Sequence, residues 1–144
     1  MRFLASALLA LTVTACSGGA DTPTGPTDTI PFSTTNLRVG TGTEVVTGRT
    51  IAVEYTGWLY SAGAPDNKGT QFDSTFDPGR DPFVLVAGSA NVIPGFSQGV
   101  LGMRVGGLRR VVIPPSLGYG VQGSPPTIPG NATLIFEIEV LAVQ

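Results

Sequence analysis

The stretch that decides the fold is Leu134-Ile135-Phe136-Glu137-Ile138-Glu139-Val140-Leu141. Leu134, Phe136, Ile138 and Val140 fall on one side of an extended chain; Ile135, Glu137 and Glu139 fall on the other. Alternation with a period of two marks a strand with one face on a core. The expected strand runs from Thr133 to Val143. Outward from it, Leu108 to Ile113 reads as a second strand, with Val111 and Ile113 inward. Thr50 to Tyr60 reads as a third. Ile51, Val53 and Tyr55 share its inner face, and Thr50, Glu54 and Thr56 its outer one. Phe83-Val84-Leu85-Val86 is a fourth.

One helix is expected, from Pro94 to Leu101. Proline suits the first helical turn, where its missing N–H costs nothing. Phe96, Val100 and Leu101 then recur at helical spacing. Ser61 to Gly69 reads as a loop, broken by Gly63, Pro65, Asp66-Asn67 and Gly69. The fold class is therefore α+β: an antiparallel sheet folded around one short α-helix. The 20 glycines and 12 prolines suit such a turn-rich chain.

Composition removes whole classes of chemistry. The 144 residues carry no histidine and one cysteine. Ser-His-Asp and Cys-His nucleophiles and Cys/His zinc sites are excluded, and no intramolecular disulfide can form. No metal site and no cofactor are expected. The net charge is −2 and no basic run exists, so nucleic acid is not an expected partner.

The N-terminus has its own pattern. Met1-Arg2 is a minimal positive region, and Phe3 to Ala15 is an apolar run too short to span a bilayer. Val13-Thr14-Ala15-Cys16 follows, then Ser17-Gly18-Gly19. This resembles a bacterial lipobox, which implies a signal peptide over 1–15 and a lipid on Cys16. Several acyl chains give stable anchoring where one gives marginal binding. Ser17 stands where an aspartate would signal retention in enteric-type sorting. The implied location is the cell envelope, periplasm-facing, with the outer membrane favoured over the inner. Residues 16–35 read as the lipidated start and a flexible linker. The domain is expected over 36–144.

Three blocks inside that domain carry a resemblance. The first is Val53-Glu54-Tyr55-Thr56-Gly57 with Phe72-Asp73-Ser74. The second is Pro82-Phe83, Val92-Ile93-Pro94-Gly95-Phe96 and Gly99-Val100-Leu101-Gly102-Met103. The third is Ile113-Pro114-Pro115-Ser116-Leu117-Gly118-Tyr119-Gly120 with Ile128-Pro129-Gly130 and the strand quoted above. Together, from about Asn36 to Val143, they resemble the FKBP-type peptidyl-prolyl cis-trans isomerases.

The resemblance implies a curved sheet whose concave face packs the helix. It implies catalytic roles for Tyr55, Asp73, Ile93 and Tyr119. Phe72, Phe83, Val92, Phe96, Ile128 and Phe136 are the implied substrate-binding residues. Phe96 takes a place where many members carry tryptophan, and Gly130 replaces a frequent second proline. The Ile93 N–H is expected to donate to a substrate carbonyl. The Tyr119 hydroxyl is expected to donate to the carbonyl preceding the substrate proline. Asp73 is expected beside the rotating amide, held by the Tyr55 hydroxyl and by Arg80. The implied ligands are proline-containing polypeptide segments and macrolide inhibitors of the rapamycin type. With no added domain for dimerisation, a monomer is expected. The alternative is a non-catalytic module that grips proline segments without turnover, or a chaperone tethered to the membrane.

Overall fold

The structure, a computed structural model, describes residues 30–144. The expected signal peptide, Cys16 and most of the linker lie outside the described residues. Six strands form one antiparallel sheet: β1 (Ser33–Arg38), β2 (Thr50–Tyr60), β3 (Lys68–Ser74), β4 (Phe83–Val86), β5 (Leu108–Ile113) and β6 (Leu134–Val143). Their order is β1-β5-β6-β2-β3, with β4 also paired to β2. β3 meets β2 over Thr56–Tyr60 and β4 meets it over Thr50–Val53, while β6 takes its other side. Bulges between Gly57 and Tyr60, and between Ala52 and Val53, break the ladder locally. Such bulges bend a strand and raise its twist.

The one α-helix among the described residues, α1 (Pro94–Val100), packs on the inner face of β5. It starts at Pro94 as expected and ends one residue short of Leu101. Two glycines one turn apart allow the contact. A Cβ on Gly95 would lie 2.4 Å from Ile113 Cγ2, and one on Gly99 2.8 Å from Val111 Cγ2. Between sheet and helix lies the core, with Ile51, Val53, Val100, Val111, Ile113, Leu134, Ile138 and Val140 fully buried.

Arg109 on β5 closes the C-terminal end of α1. Its Nη1 donates to the carbonyls of Gly99 and Leu101, each at 2.9 Å, and its Nε to Asn36 Oδ1 at 2.7 Å. One guanidinium thus satisfies carbonyls the helix leaves orphaned and ties β1 to β5.

Two strands depart from the sequence reading. β1 begins at Ser33, three residues before the expected domain start at Asn36. All six of its residues are exposed, so it shows no alternation and is held by pairing to β5. β3 takes Lys68 and Gly69 out of the expected Ser61–Gly69 loop. Its pairing to β2 shifts register twice, which erases a period of two from its sequence. The loop that remains turns through Asp66 and Asn67, both in the left-handed region at φ 55° and 58°.

Candidate active site

Curvature brings β2, β3, β4 and β6 around a cavity of about 290 Å³. Alternation delivers its walls. Tyr55 points inward from β2 and Phe136 from β6, while Phe72, Phe83 and Phe96 come from β3, β4 and α1. These five rings meet edge to face in six contacts, with centroids 5.3–6.2 Å apart. Edge-to-face pairs set positive ring edges on negative ring faces, which fixes the rings relative to one another. Gly57 makes room for two of them: a Cβ there would lie 2.6 Å from Phe72 Cζ and 2.9 Å from Phe136 Cε1.

Polar groups stand at one side of the cavity. The Tyr55 hydroxyl donates to Asp73 Oδ2 at 2.5 Å, and Arg80 Nη2 lies 3.2 Å from Asp73 Oδ1. Burial first, and then the hydrogen bond to Asp73, push the Tyr55 phenol far above its usual range. Its proton is therefore committed to Asp73. Tyr119 is different. It is 40 % exposed, and among the described residues no acceptor takes its hydroxyl. Burial, followed by the charge of Asp73, raises its pKa too. It remains a neutral donor with a free proton.

Backbone geometry places the remaining groups. Ile93 is the N-cap of α1, and its carbonyl accepts from Phe96 and Ser97. Its own N–H has no backbone acceptor among the described residues. Tyr119 is held by its neighbours: the Gly118 and Gly120 N–H groups both donate to the Pro115 carbonyl, at 3.0 and 2.9 Å.

Nine of the residues expected at the site line this cavity: Tyr55, Phe72, Asp73, Phe83, Val92, Ile93, Phe96, Tyr119 and Phe136. Ile128 does not. It is 4 % exposed, packed into the core beneath the 121–130 segment and clamped by reciprocal backbone bonds with Ser124. Asn91 lines the cavity, and the sequence reading missed it. Thr75 was missed as well. Its Oγ1 accepts from the Tyr55 N–H at 2.9 Å and its own N–H donates to the Tyr55 carbonyl, which fixes the tyrosine's backbone. A hydroxyl residue two positions past Asp73 carries no pattern that would have revealed this.

The site is an apolar enclosure with two uncommitted donors and one ion-paired carboxylate. Among the described residues it holds no nucleophile poised against a base. Such a site can grip a ring and orient an amide. Comparison with known proteins agrees. The profile described as FKBP-type peptidyl-prolyl cis-trans isomerase matches residues 42–141, and the chain belongs to that family. It is 54% identical over 97 residues to the Peptidyl-prolyl cis-trans isomerase FKBP15-2 of Arabidopsis thaliana, covering 67% of this chain and 55% of that one. It is 44% identical to an FK506-binding protein of Neisseria meningitidis serogroup B, covering 75% and 92% respectively. The chain thus spans about half the length of the plant relative and nearly all of the bacterial one. Among solved structures, AtFKBP13 superposes with a TM-score of 0.67 at 32% identity, covering 78% of this chain and 93% of that one. FkpA from Escherichia coli gives 0.65 at 34%, covering 78% and 48%.

Proposed function

We propose that this domain rotates the peptide bond preceding proline in segments of exported proteins, and that it does so by enclosure. The family's reaction, peptidyl-prolyl cis–trans isomerisation, is the activity of the domain. The observation that carries the mechanism is the edge-to-face aromatic cavity with its two free donors. The barrier to rotation is about 18–20 kcal/mol because rotation breaks amide resonance. Only interactions stronger in the twisted state lower it. An apolar cavity disfavours the planar amide, whose resonance separates charge, and the twisted amide loses that charge. The ring of the proline packs on Phe96, Tyr55 and Phe136. The Tyr119 hydroxyl holds the carbonyl preceding proline, and the Ile93 N–H holds a carbonyl beyond it. Asp73, fixed by Tyr55 and Arg80, sits beside the rotating bond. A reduction of about 5 kcal/mol gives a gain of a thousand- to ten-thousandfold.

A protease-coupled isomerisation assay on the domain from about Thr29, with a Leu-Pro or Phe-Pro peptide, tests this. Acceleration above the uncatalysed rate is the expected result. Correctly folded protein without acceleration would make the domain a proline-binding module instead. The apolar cavity also favours macrolide inhibitors of the FK506 and rapamycin type.

We further propose that Cys16 carries a lipid and tethers the domain, as a monomer, to the periplasmic side of the outer membrane. The support is the Val13-Thr14-Ala15-Cys16 motif directly after an apolar run. About fifteen linker residues reach at most about 50 Å. Cys16→Ser should abolish incorporation of radioactive fatty acid and release the protein from membranes. A wild-type protein that takes up no label overturns the anchor alone.

A further inference from the structure

A second depression adjoins the active site. It has a volume of about 380 Å³ and lies between α1, the 88–92 segment and the turn at Thr47. Val92 lines both cavities, so one side chain separates them. No charged side chain lines the second one; Ala90, Leu101 and Gln98 are typical of its surface. It also contains an anomaly. Ser89 Oγ is screened from solvent and has no hydrogen-bond partner, the one such side-chain atom among the described residues. The Ser89 carbonyl is occupied, accepting from Ser97 Oγ at 3.3 Å. Buried hydroxyls without partners are rare and costly. Ser89 as a whole is half-buried and lines the depression.

We propose that this groove binds the substrate polypeptide on the C-terminal side of its proline, taking uncharged, small or hydroxyl-bearing residues. The inference rests on the isomerase reading of the first cavity. There Tyr119 holds the carbonyl preceding proline and the Ile93 N–H, in the same cavity, takes a carbonyl beyond it. The chain then leaves past Val92, next to Ile93, and the groove opens on the far side of Val92. About two extended residues cover the width of one side chain, at roughly 3.3–3.6 Å each. The absence of charge in the lining selects against charged residues at that point, because they would be desolvated without a partner. Ser89 supplies the polar contact. The groove contributes binding that is the same for planar and twisted amide, so it acts on KM and leaves kcat unchanged.

The test compares blocked peptides by NMR exchange spectroscopy. One is Ala-Leu-Pro-Phe; the others add Ala-Ser-Ala after the phenylalanine or before the first alanine. The C-terminal extension should raise kcat/KM by about three- to tenfold, the worth of one hydrogen bond with some apolar contact. The N-terminal extension should add nothing, and a C-terminal Glu-Glu-Glu or Lys-Lys-Lys extension should lose the gain. Ala90→Trp fills the groove from an exposed position and should abolish the gain while the short peptide exchanges at its original rate. Ser89→Ala should remove the advantage of serine over alanine in the extension. The proposal is overturned by equal rates for short and C-terminally extended peptides, by a gain confined to the N-terminal extension, or by a gain that survives Ala90→Trp. The short peptide's own rate reads the first cavity separately, so failure of the groove is distinct from failure of the isomerase site.

Discussion

Phe136 and Glu137 are neighbours on one strand and belong to two different chemistries. Phe136 turns into the cavity, is 4 % exposed, and touches the rings of Tyr55, Phe72 and Phe96. Glu137 turns outward and joins an ionic network on the convex face. Its Oε1 lies 2.7 Å from Lys68 Nζ and 2.9 Å from Arg110 Nη2, and Arg110 also reaches Asp66 Oδ2 at 3.4 Å. Lys68 sits over the Trp58 ring, 4.5 Å from its centroid. The inner face holds its shape by packing that no solvent competes with. The outer face uses charges, and water competes with each of them. The two faces should therefore answer mutation on different scales, and function should follow the inner one.

Phe136→Ala is the largest break. Removing a buried aromatic ring should cost about 3–5 kcal/mol of stability. Three edge-to-face contacts vanish with it. The cavity widens, the proline is no longer enclosed, and isomerase activity should fall furthest of all the variants described. Urea unfolding and the protease-coupled assay measure the two losses. A variant that stays both folded and active would show that enclosure is not the mechanism.

The contrast also explains what could be read from the sequence. β6, β5 and β2 were legible because burial alternates along much of each strand, and that alternation writes a period of two. Phe72, Phe83, Phe96 and Phe136 came with the family motifs, and the structure brings them together. β1 was illegible because all six residues are exposed. β3 was hidden by its register shifts and by the loop before it. Arg109 and Thr75 act by capping and clamping backbone groups, and such roles depend on where a carbonyl or an N–H arrives in space. Ile128, expected at the cavity, has its side chain in the core, and the cavity lining does not include it.

Asp73→Ala should come second. It leaves the Tyr55 hydroxyl, largely buried, without its acceptor, and frees Arg80. An unsatisfied buried donor costs about 1–3 kcal/mol. Turnover should fall about five- to a hundredfold, since Asp73 also lines the cavity. Alkaline unfolding provides a second reading. The Tyr55 phenol has a folded-state pKa raised above its ordinary 10.0, by burial first and then by Asp73. Its contribution to stability is thus complete below about pH 10 and is lost as pH rises further. Without Asp73 part of that upward push is gone. The variant should therefore lose less stability above pH 10 than the wild type does, and an equal loss would show that Asp73 does not hold the phenol.

Tyr119→Phe should be milder. The ring remains and the residue is 40 % exposed, so stability should hardly change. The proposed hydrogen bond to substrate is removed, worth about 0.5–1.5 kcal/mol, for a loss of roughly three- to tenfold in turnover. In the wild type the phenols of both tyrosines are raised, and no histidine is present. The pH–rate profile should be flat between about pH 6 and 8. Abolition of turnover in Tyr119→Phe, or a steep profile, would move catalysis from enclosure to a specific proton donor.

Glu137→Gln should have the smallest effect, and it tests the comparison most finely. It keeps the side chain's shape and removes the charge that two cations share. Partly exposed pairs of this kind are worth about 0–1 kcal/mol, and salt screens them. The expected loss is at the upper end of that range at low salt, it shrinks as salt is added, and turnover is unchanged. A larger result would be informative because of what Lys68 begins. It is the first residue of β3, and β3 delivers Phe72 and Asp73 to the cavity. Two register shifts leave that strand loosely indexed on β2. If the bond from Lys68 to Glu137 is what indexes it, Glu137→Gln will slow turnover as well as lower the urea midpoint. The outer face would then be setting the position of the inner one, and the separation drawn between Phe136 and Glu137 would fail at β3.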